Sequence, residues 1–463
     1  MNGIKRWLIV LAGIPGFVWG QAEVFKGRVV DSVEVTQGTF LSYYLPVNYD
    51  EKSSWPVIYS FDPSGNSHKA VASFQDAAEK YGYIVLSCDA IKNGSYQENY
   101  KHARDLFEAS ETMFNLDTVN QFTAGFSGGG RLAMAIAGLS NDISGVISAG
   151  AGLSTASTNW LRNHPFIFIG ISGNEDFNYT EVKMTERIFT ALKYPIEIIT
   201  FEGGHEWPPS EVIEKAVRDL SVLMFSRGKL KYTEEKLSEI WEEELTYNTT
   251  LQKKGHWVWA YKDLEKKRDW YAIYDRDNEL KDMQRDIRRN KQYRSQRSEM
   301  KYVDEIEALY LQEYVDFLIE DIRAGELEAL GYWDQELSQF DRSFTKSKKE
   351  AEKDMSVRIK SMLEVIALQA KTSLEEPEAF DQLLFINIFL TLLDDQDHGA
   401  YLEAVRLAVA TGKYDVALYY TDKLLETGFK DIDRLRNYPG ITLLRIQPEF
   451  GDVLLKYGFK PRF

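Results

Sequence analysis

The sequence predicts an α/β fold over residues 23–228, a mostly parallel sheet flanked by helices, followed by an all-α, helical-repeat-like half over residues 229–463. Three observations carry that expectation. From Val24 to about Arg227, short runs rich in β-branched and aromatic residues alternate with amphipathic stretches, the pattern of strands joined by crossover helices. No proline occurs between Pro209 and Pro377, glycine thins out, and Glu, Lys, Arg, Asp, Leu and aromatic residues dominate, a composition that favours helix. One apolar run, Gln121 to Phe126, passes through Ser127-Gly128-Gly129 straight into a small-residue helical stretch. At 463 residues the chain also exceeds one ordinary core, so at least two domains are expected.

Taken in order, Val29 to Val35 and Phe40 to Leu45 read as an opening hairpin or edge strands. Val57 to Phe61 is a short strand ending in the turn Asp62-Pro63-Ser64-Gly65-Asn66, and a helix from about His68 to Lys80 should follow. Tyr83 to Cys88 is the next strand and Tyr100 to Met113 a longer helix. Strands at Gly145 to Ala149, Phe166 to Ile171 and Ile196 to Phe201 come after the serine-bearing strand, with helices at Thr180 to Leu192 and Ser210 to Met224. In the second half, Lys231 to Asn248, Lys262 to Arg289, Met300 to Ile322 and Ser347 to Lys371 read as long amphipathic helices. The charge run Lys281 to Arg297 is a solvated helix face.

The N-terminus joins Lys5-Arg6 to a short apolar run, Trp7 to Gly20, that contains Pro15 and ends near small residues. That is the make-up of a secretory signal peptide over residues 1–22, so export to a periplasm or the medium is expected, with no membrane span in the mature chain. The lone cysteine, Cys88, lies in a strand-like run and cannot form an internal disulfide; it reads as a core residue. A formal net charge of −16 argues against nucleic acid or an anionic membrane as the main partner.

In open α/β sheets ligands gather beyond the carboxyl ends of the strands, so polar residues there are site candidates by position. Three strand ends stand out. Gly125-Phe126-Ser127-Gly128-Gly129 fits G-x-S-x-G, a nucleophile elbow: a serine on a tight strand-to-helix turn needs small residues two positions before and after it. Ser172-Gly173-Asn174-Glu175-Asp176 presents carboxylates, and Glu202-Gly203-Gly204-His205-Glu206-Trp207 presents an imidazole. A serine hydroxyl is a poor nucleophile at neutral pH and needs a base; the base in turn needs a carboxylate to fix its tautomer. His205 is the candidate base, since His68 and His102 fall in predicted helices, His164 precedes a strand, and His256 and His398 lie in the second half. Asp176 is the candidate acid, with Glu175 as the alternative. The Gly128 N–H is one candidate oxyanion donor and the Ser64 N–H the second, because Pro63 has no N–H; an ordinary Asp-Pro-Ser-Gly turn also explains those residues. Trp207 and Trp160 are candidate pocket walls.

On these motifs the region Val24 to Arg227 resembles the α/β-hydrolase superfamily. It is most similar to the secreted esterase and polyhydroxybutyrate-depolymerase-like branch, which shares the G-x-S-x-G elbow, a G-x-x-D turn (Gly173 to Asp176) and a late G-G-H-x-W loop (Gly203 to Trp207). One departure is plain: Asp62-Pro63 stands where such esterases usually carry His-Gly. The resemblance implies an exported serine hydrolase that cleaves a carboxylic ester, from a small molecule or a polymer, through an acyl-enzyme and without metal or organic cofactor. The alternative is a catalytically inactive hydrolase-fold scaffold whose helical half binds a protein partner. Near the end, Tyr401 to Ala410 and Gly412 to Leu425 resemble a tetratricopeptide hairpin, with G-x-Y-x-x-A at Gly412 to Ala417 and Leu424 where a small Ala is usual. Leu435 to Phe450 looks like a capping segment. Protein-partner binding, self-association, roofing of the site or packing on the first half are the roles open to this half.

Overall fold

The computed structural model of the protein describes residues 25–36, 39–153, 161, 165–271 and 276–460. The expected signal peptide, Trp160 and His164 lie outside them. The chain opens with β1 (Val29–Thr36), β2 (Thr39–Tyr44) and β3 (Trp55–Phe61). These lead to α1 (Ser67–Ala72), α2 (Gln75–Tyr81), β4 (Ile84–Cys88) and α3 (Tyr96–Met113). The serine strand β5 (Leu116–Phe126), α4 (Gly128–Leu139), β6 (Ile143–Ala149), β7 (Ile167–Gly173), α5 (Tyr179–Ala191), β8 (Ile196–Phe201) and α6 (Ser210–Ser226) complete the first half.

The strands form one eight-stranded sheet in the order β1-β2-β4-β3-β5-β6-β7-β8. β1–β2 and β2–β4 pair antiparallel; every later neighbour is parallel. This is the α/β-hydrolase fold. β4 and β7 are buried along their whole length, as strands covered on both faces must be, and their sequences accordingly run apolar without alternation. Cys88 is buried there and free, with its thiol pushed up to about 11 by burial.

One expected helix is in fact two. The His68 to Lys80 stretch breaks at Ser73-Phe74, where Phe74 leaves the helical path and buries its ring edge-on to Trp207, with centroids 6.4 Å apart. The stretch Lys262 to Arg289 likewise divides between two helices, one ending at Trp270 and one beginning at Asp277.

The second half is helical throughout its described length: α7 (Glu234–Lys253), α8 (Trp257–Trp270), α9 (Asp277–Arg289), α10 (Lys291–Ala324), α11 (Ala329–Phe340), α12 (Glu350–Thr372) and α13 (Phe380–Leu393). The pair α14 (His398–Ala410) and α15 (Tyr414–Glu426) follows, then the short α16 (Ile432–Arg436), α17 (Thr442–Arg445) and α18 (Pro448–Lys456). Among the described residues no helix is long and apolar enough to cross a membrane.

The apolar cores do not divide where the composition changes. One lies between the sheet and α3 and α4, centred on Phe61, Leu86 and Phe168. The opposite face of the sheet carries a second core that continues through Val217 and Leu220 of α6 into Trp241, Leu264, Leu280 and Tyr293 of α7 to α10. A third gathers Tyr314, Trp333, Ile359, Phe389, Leu407 and Leu424 from α10 to α15.

Charge is also buried between the halves. Lys215, Arg218 and Asp219 of α6 meet Glu244 of α7 and Asp263 and Lys267 of α8, beside Glu197 of β8, each at most 5% exposed. Asp263 lies 3.3 Å from Lys215 and 2.7 Å from Lys267, while Glu244 bonds both Arg218 and Lys267. Three cations thus face four carboxyl groups. Burial pushes Glu197 well above the usual carboxylate range and Asp219 up to about 7.

Candidate active site

β5 delivers its last residue to the carboxyl edge of the sheet, and the chain reverses into α4 within a single residue. Ser127 is that residue, at φ 51° and ψ −119°, a conformation costly for any side chain with a Cβ. The turn is held by its own backbone N–H, which donates to Ala149 O at 2.8 Å. The flanking glycines are demanded by proximity: a Cβ on Gly125 would lie 2.5 Å from the Gly129 carbonyl carbon, and one on Gly129 2.1 Å from Phe61 O. Strand β3, strand β5 and helix α4 therefore touch backbone to backbone at the serine, which lies at the N-terminal end of the α4 dipole.

Two loops bring their side chains to it. His205 Nε2 lies 2.9 Å from Ser127 Oγ, and His205 Nδ1 lies 2.9 Å from Asp176 Oδ1. Asp176 is 1% exposed and also accepts the Asn178 N–H at 2.8 Å. With a carboxylate at Nδ1, the neutral ring carries its proton there and leaves Nε2 to accept from the serine. The imidazole is held between Phe126 and Phe177, at 4.7 and 4.2 Å between ring centroids. Gly150, at φ +62°, leaves the space: a Cβ there would come within 3.1 Å of both Asp176 Oδ2 and His205 Cε1. The alternative acid, Glu175, instead gives its backbone N–H to Gly203 O and lies partly exposed.

The expected second oxyanion donor is elsewhere engaged. Ser64 N–H donates to Asp62 Oδ1 at 2.8 Å, and the Ser64 hydroxyl donates to the same oxygen at 2.5 Å. The Asp62 side chain curls onto the N–H two residues ahead, the habit of aspartate before a turn, so the Asp-Pro-Ser-Gly sequence acts as the ordinary turn it also resembled. The other Asp62 oxygen accepts Trp207 Nε1 at 2.8 Å. Burial alone would push this carboxyl up, but the bonds from Ser64 and Trp207 outweigh it and hold its pKa below the usual carboxylate range. Trp207 is thus fixed in place, its ring 5.6 Å from that of Phe126. Asp62, which anchors both Ser64 and Trp207, escaped the sequence reading; its signal was the Asp-Pro pair standing where His-Gly is usual.

Next to Gly128 stands Asn93, whose backbone N–H donates to Pro63 O at 2.8 Å and whose Oδ1 lies where a Gly128 side chain would begin. A cavity of about 180 Å³ opens there, bordered by Asp62, Asn93, Tyr96, Gly128 and Arg131. Arg131 is held by Glu181 at 2.7 Å, and Glu181 also accepts the Gly152 N–H, which ties the chain after β6 to α5. Among the described residues no three His, Cys, Asp or Glu side chains gather as a metal-binding group.

No protein-family model matches the chain, and comparison with curated proteins finds no match. Solved structures do resemble part of it. An S-formylglutathione hydrolase of Staphylococcus aureus aligns at 12% identity over 42% of this chain and 98% of its own, with a TM-score of 0.36. A substrate-bound fluorophosphonate-binding serine hydrolase of the same organism aligns at 12% identity over 42% and 99%, TM-score 0.35. A feruloyl esterase module from Clostridium thermocellum aligns at 15% identity over 42% and 86%, TM-score 0.34.

Proposed function

We propose that this protein is an exported serine hydrolase that cleaves carboxylic esters, of small molecules or of polymers, through an acyl-enzyme. The single observation that carries this reading is the hydrogen-bonded chain from Ser127 Oγ through His205 to the buried Asp176, built on a strained serine at a helix N-terminus.

In this reading Ser127 Oγ attacks the ester carbonyl carbon as His205 Nε2 takes the hydroxyl proton. Asp176 holds the imidazole tautomer and stabilises the imidazolium. The carbonyl oxygen, now negative, points at the Gly128 N–H. Collapse of the tetrahedral species breaks the C–O bond to the alcohol, which leaves with the proton from His205. Water repeats the sequence on the acyl-serine, releasing the acid and restoring the hydroxyl.

The inactive-scaffold reading is favoured by one observation, the capture of the Ser64 N–H by Asp62. One experiment separates the two. A fluorophosphonate probe is expected to label the wild-type protein and not Ser127→Ala, and Ser127→Ala and His205→Ala should each abolish turnover of a p-nitrophenyl ester with Tm unchanged. An unlabelled wild type, under conditions that label a known esterase, rejects the enzyme in favour of the scaffold.

A further inference from the structure

The loop that carries Asp176 is gripped from the helical half by one residue. Arg358, on α12, is 4% exposed. Its Nε and Nη2 donate to the two oxygens of Glu307 on α10, at 2.7 and 2.6 Å, which fixes the plane of the guanidinium. Its remaining nitrogen, Nη1, donates to Asn174 O at 2.5 Å, two residues before Asp176. The guanidinium carbon stands 4.6 Å from the centre of the Tyr179 ring, three residues after Asp176. Both ends of the acid loop therefore rest on one cation, with Asp176 between them.

Asn174 is also the joint between the acid loop and the histidine loop. Its N–H donates to Phe201 O at 2.9 Å, and its side-chain oxygen accepts the Gly203 N–H at 2.9 Å. The next residue completes the pairing, Glu175 N–H donating to Gly203 O at 3.0 Å. A shift of Asn174 changes the distance from Asp176 to His205.

We propose that Arg358 is a positioning residue for the hydrolytic site: the helical half, through the Glu307-fixed guanidinium, sets where the Asp176 carboxylate meets His205. The proposal rests on the serine-hydrolase reading and gives that reading a reason for its second half. Arg358 touches none of the reacting atoms. The charged and titratable groups facing it are Glu307 on α10, Asp354 on its own helix and Tyr179 on α5.

The test uses the full chain and three proteins: wild type, Arg358→Lys, and the double variant Arg358→Met with Glu307→Leu, which removes both buried charges together and so leaves neither unpaired. With p-nitrophenyl acetate, kcat of the double variant should fall about ten- to hundredfold with KM nearly unchanged, as expected of a misplaced catalytic group. The acid limb of its kcat/KM profile should move to lower pH, because an imidazolium less well met by Asp176 loses its proton more readily. Arg358→Lys, which reaches Glu307 or Asn174 but not both, should lie between. A folded double variant with wild-type kcat and an unmoved acid limb overturns the proposal. Titration of the His205 ring by NMR reads the same placement without turnover. If the wild type proves inert, a lowered His205 pKa in the double variant still supports the brace while the esterase reading fails, and an unchanged one rejects the brace as well.

Discussion

Ser127 keeps a left-handed φ because three backbones converge on it, and the residues around it are chosen for that convergence. Asp62 is the other residue on which local order turns, since one carboxylate accepts the Ser64 N–H, the Ser64 hydroxyl and the Trp207 indole. Asp62→Ala should therefore cost about 2 kcal/mol of stability, the scale of a charged hydrogen bond lost. It should also raise KM for aryl esters as Trp207 loosens; urea unfolding and steady-state kinetics would measure both, and unchanged values in both would mean that the carboxylate fixes nothing. At this scale the sequence was legible where position alone is informative. Ser127, Asp176 and His205 each follow a strand in a parallel sheet, and the structure brings exactly those side chains within hydrogen-bond distance. Ser64 was misread because whether an N–H faces a ligand or its own neighbour's carboxylate depends on one side-chain torsion, which no spacing records.

Among the elements, strands and crossover helices were legible from periodicity, and errors fell where a helix breaks, where it has no polar face, and at α11, which the reading passed over between Ile322 and Ser347. The Phe74 break is invisible in an amphipathic pattern, because Phe74 is apolar and simply looks like one more inward position. α13 escaped the reading altogether: Leu383 to Thr391 are buried on every side, so no stripe exists to be seen. α12 offers a test by pH. Burial pushes the Asp354 carboxyl, beside Asn174 and Arg358, up to about 6. An acid whose folded pKa is raised contributes stability that is fully present below its unfolded value, about 4, and is lost as pH rises through 6. Asp354→Asn should accordingly raise Tm at pH 8 and leave it nearly unchanged at pH 4, by on the order of 1 kcal/mol after allowance for partial solvent screening. Equal shifts at the two pH values would assign the effect to packing instead.

Across the whole molecule, the change of composition near Lys229 and the change of core do not coincide. Sequence composition reports helix content, whereas cores are set by which apolar faces meet, and the α6 face that meets α7 and α8 is spelled in residues far apart along the chain. A chain truncated after Arg227 is expected to lose solubility, since it would bare Lys215, Arg218 and Asp219 on α6, whose partners Glu244, Asp263 and Lys267 would be gone. A soluble, monomeric product with its near-ultraviolet spectrum intact would show that the sheet closes its own surface.

α10 begins with Tyr293 in the core shared with the sheet and ends with Leu318 and Ile322 in the terminal one, about 40 Å away at the rise of an α-helix. It behaves as a beam fixed at both ends. Because Glu307 lies along α10 between those two cores and holds Arg358, a displacement of the C-terminal core against the sheet is expected to reach Asn174, and with it the acid loop.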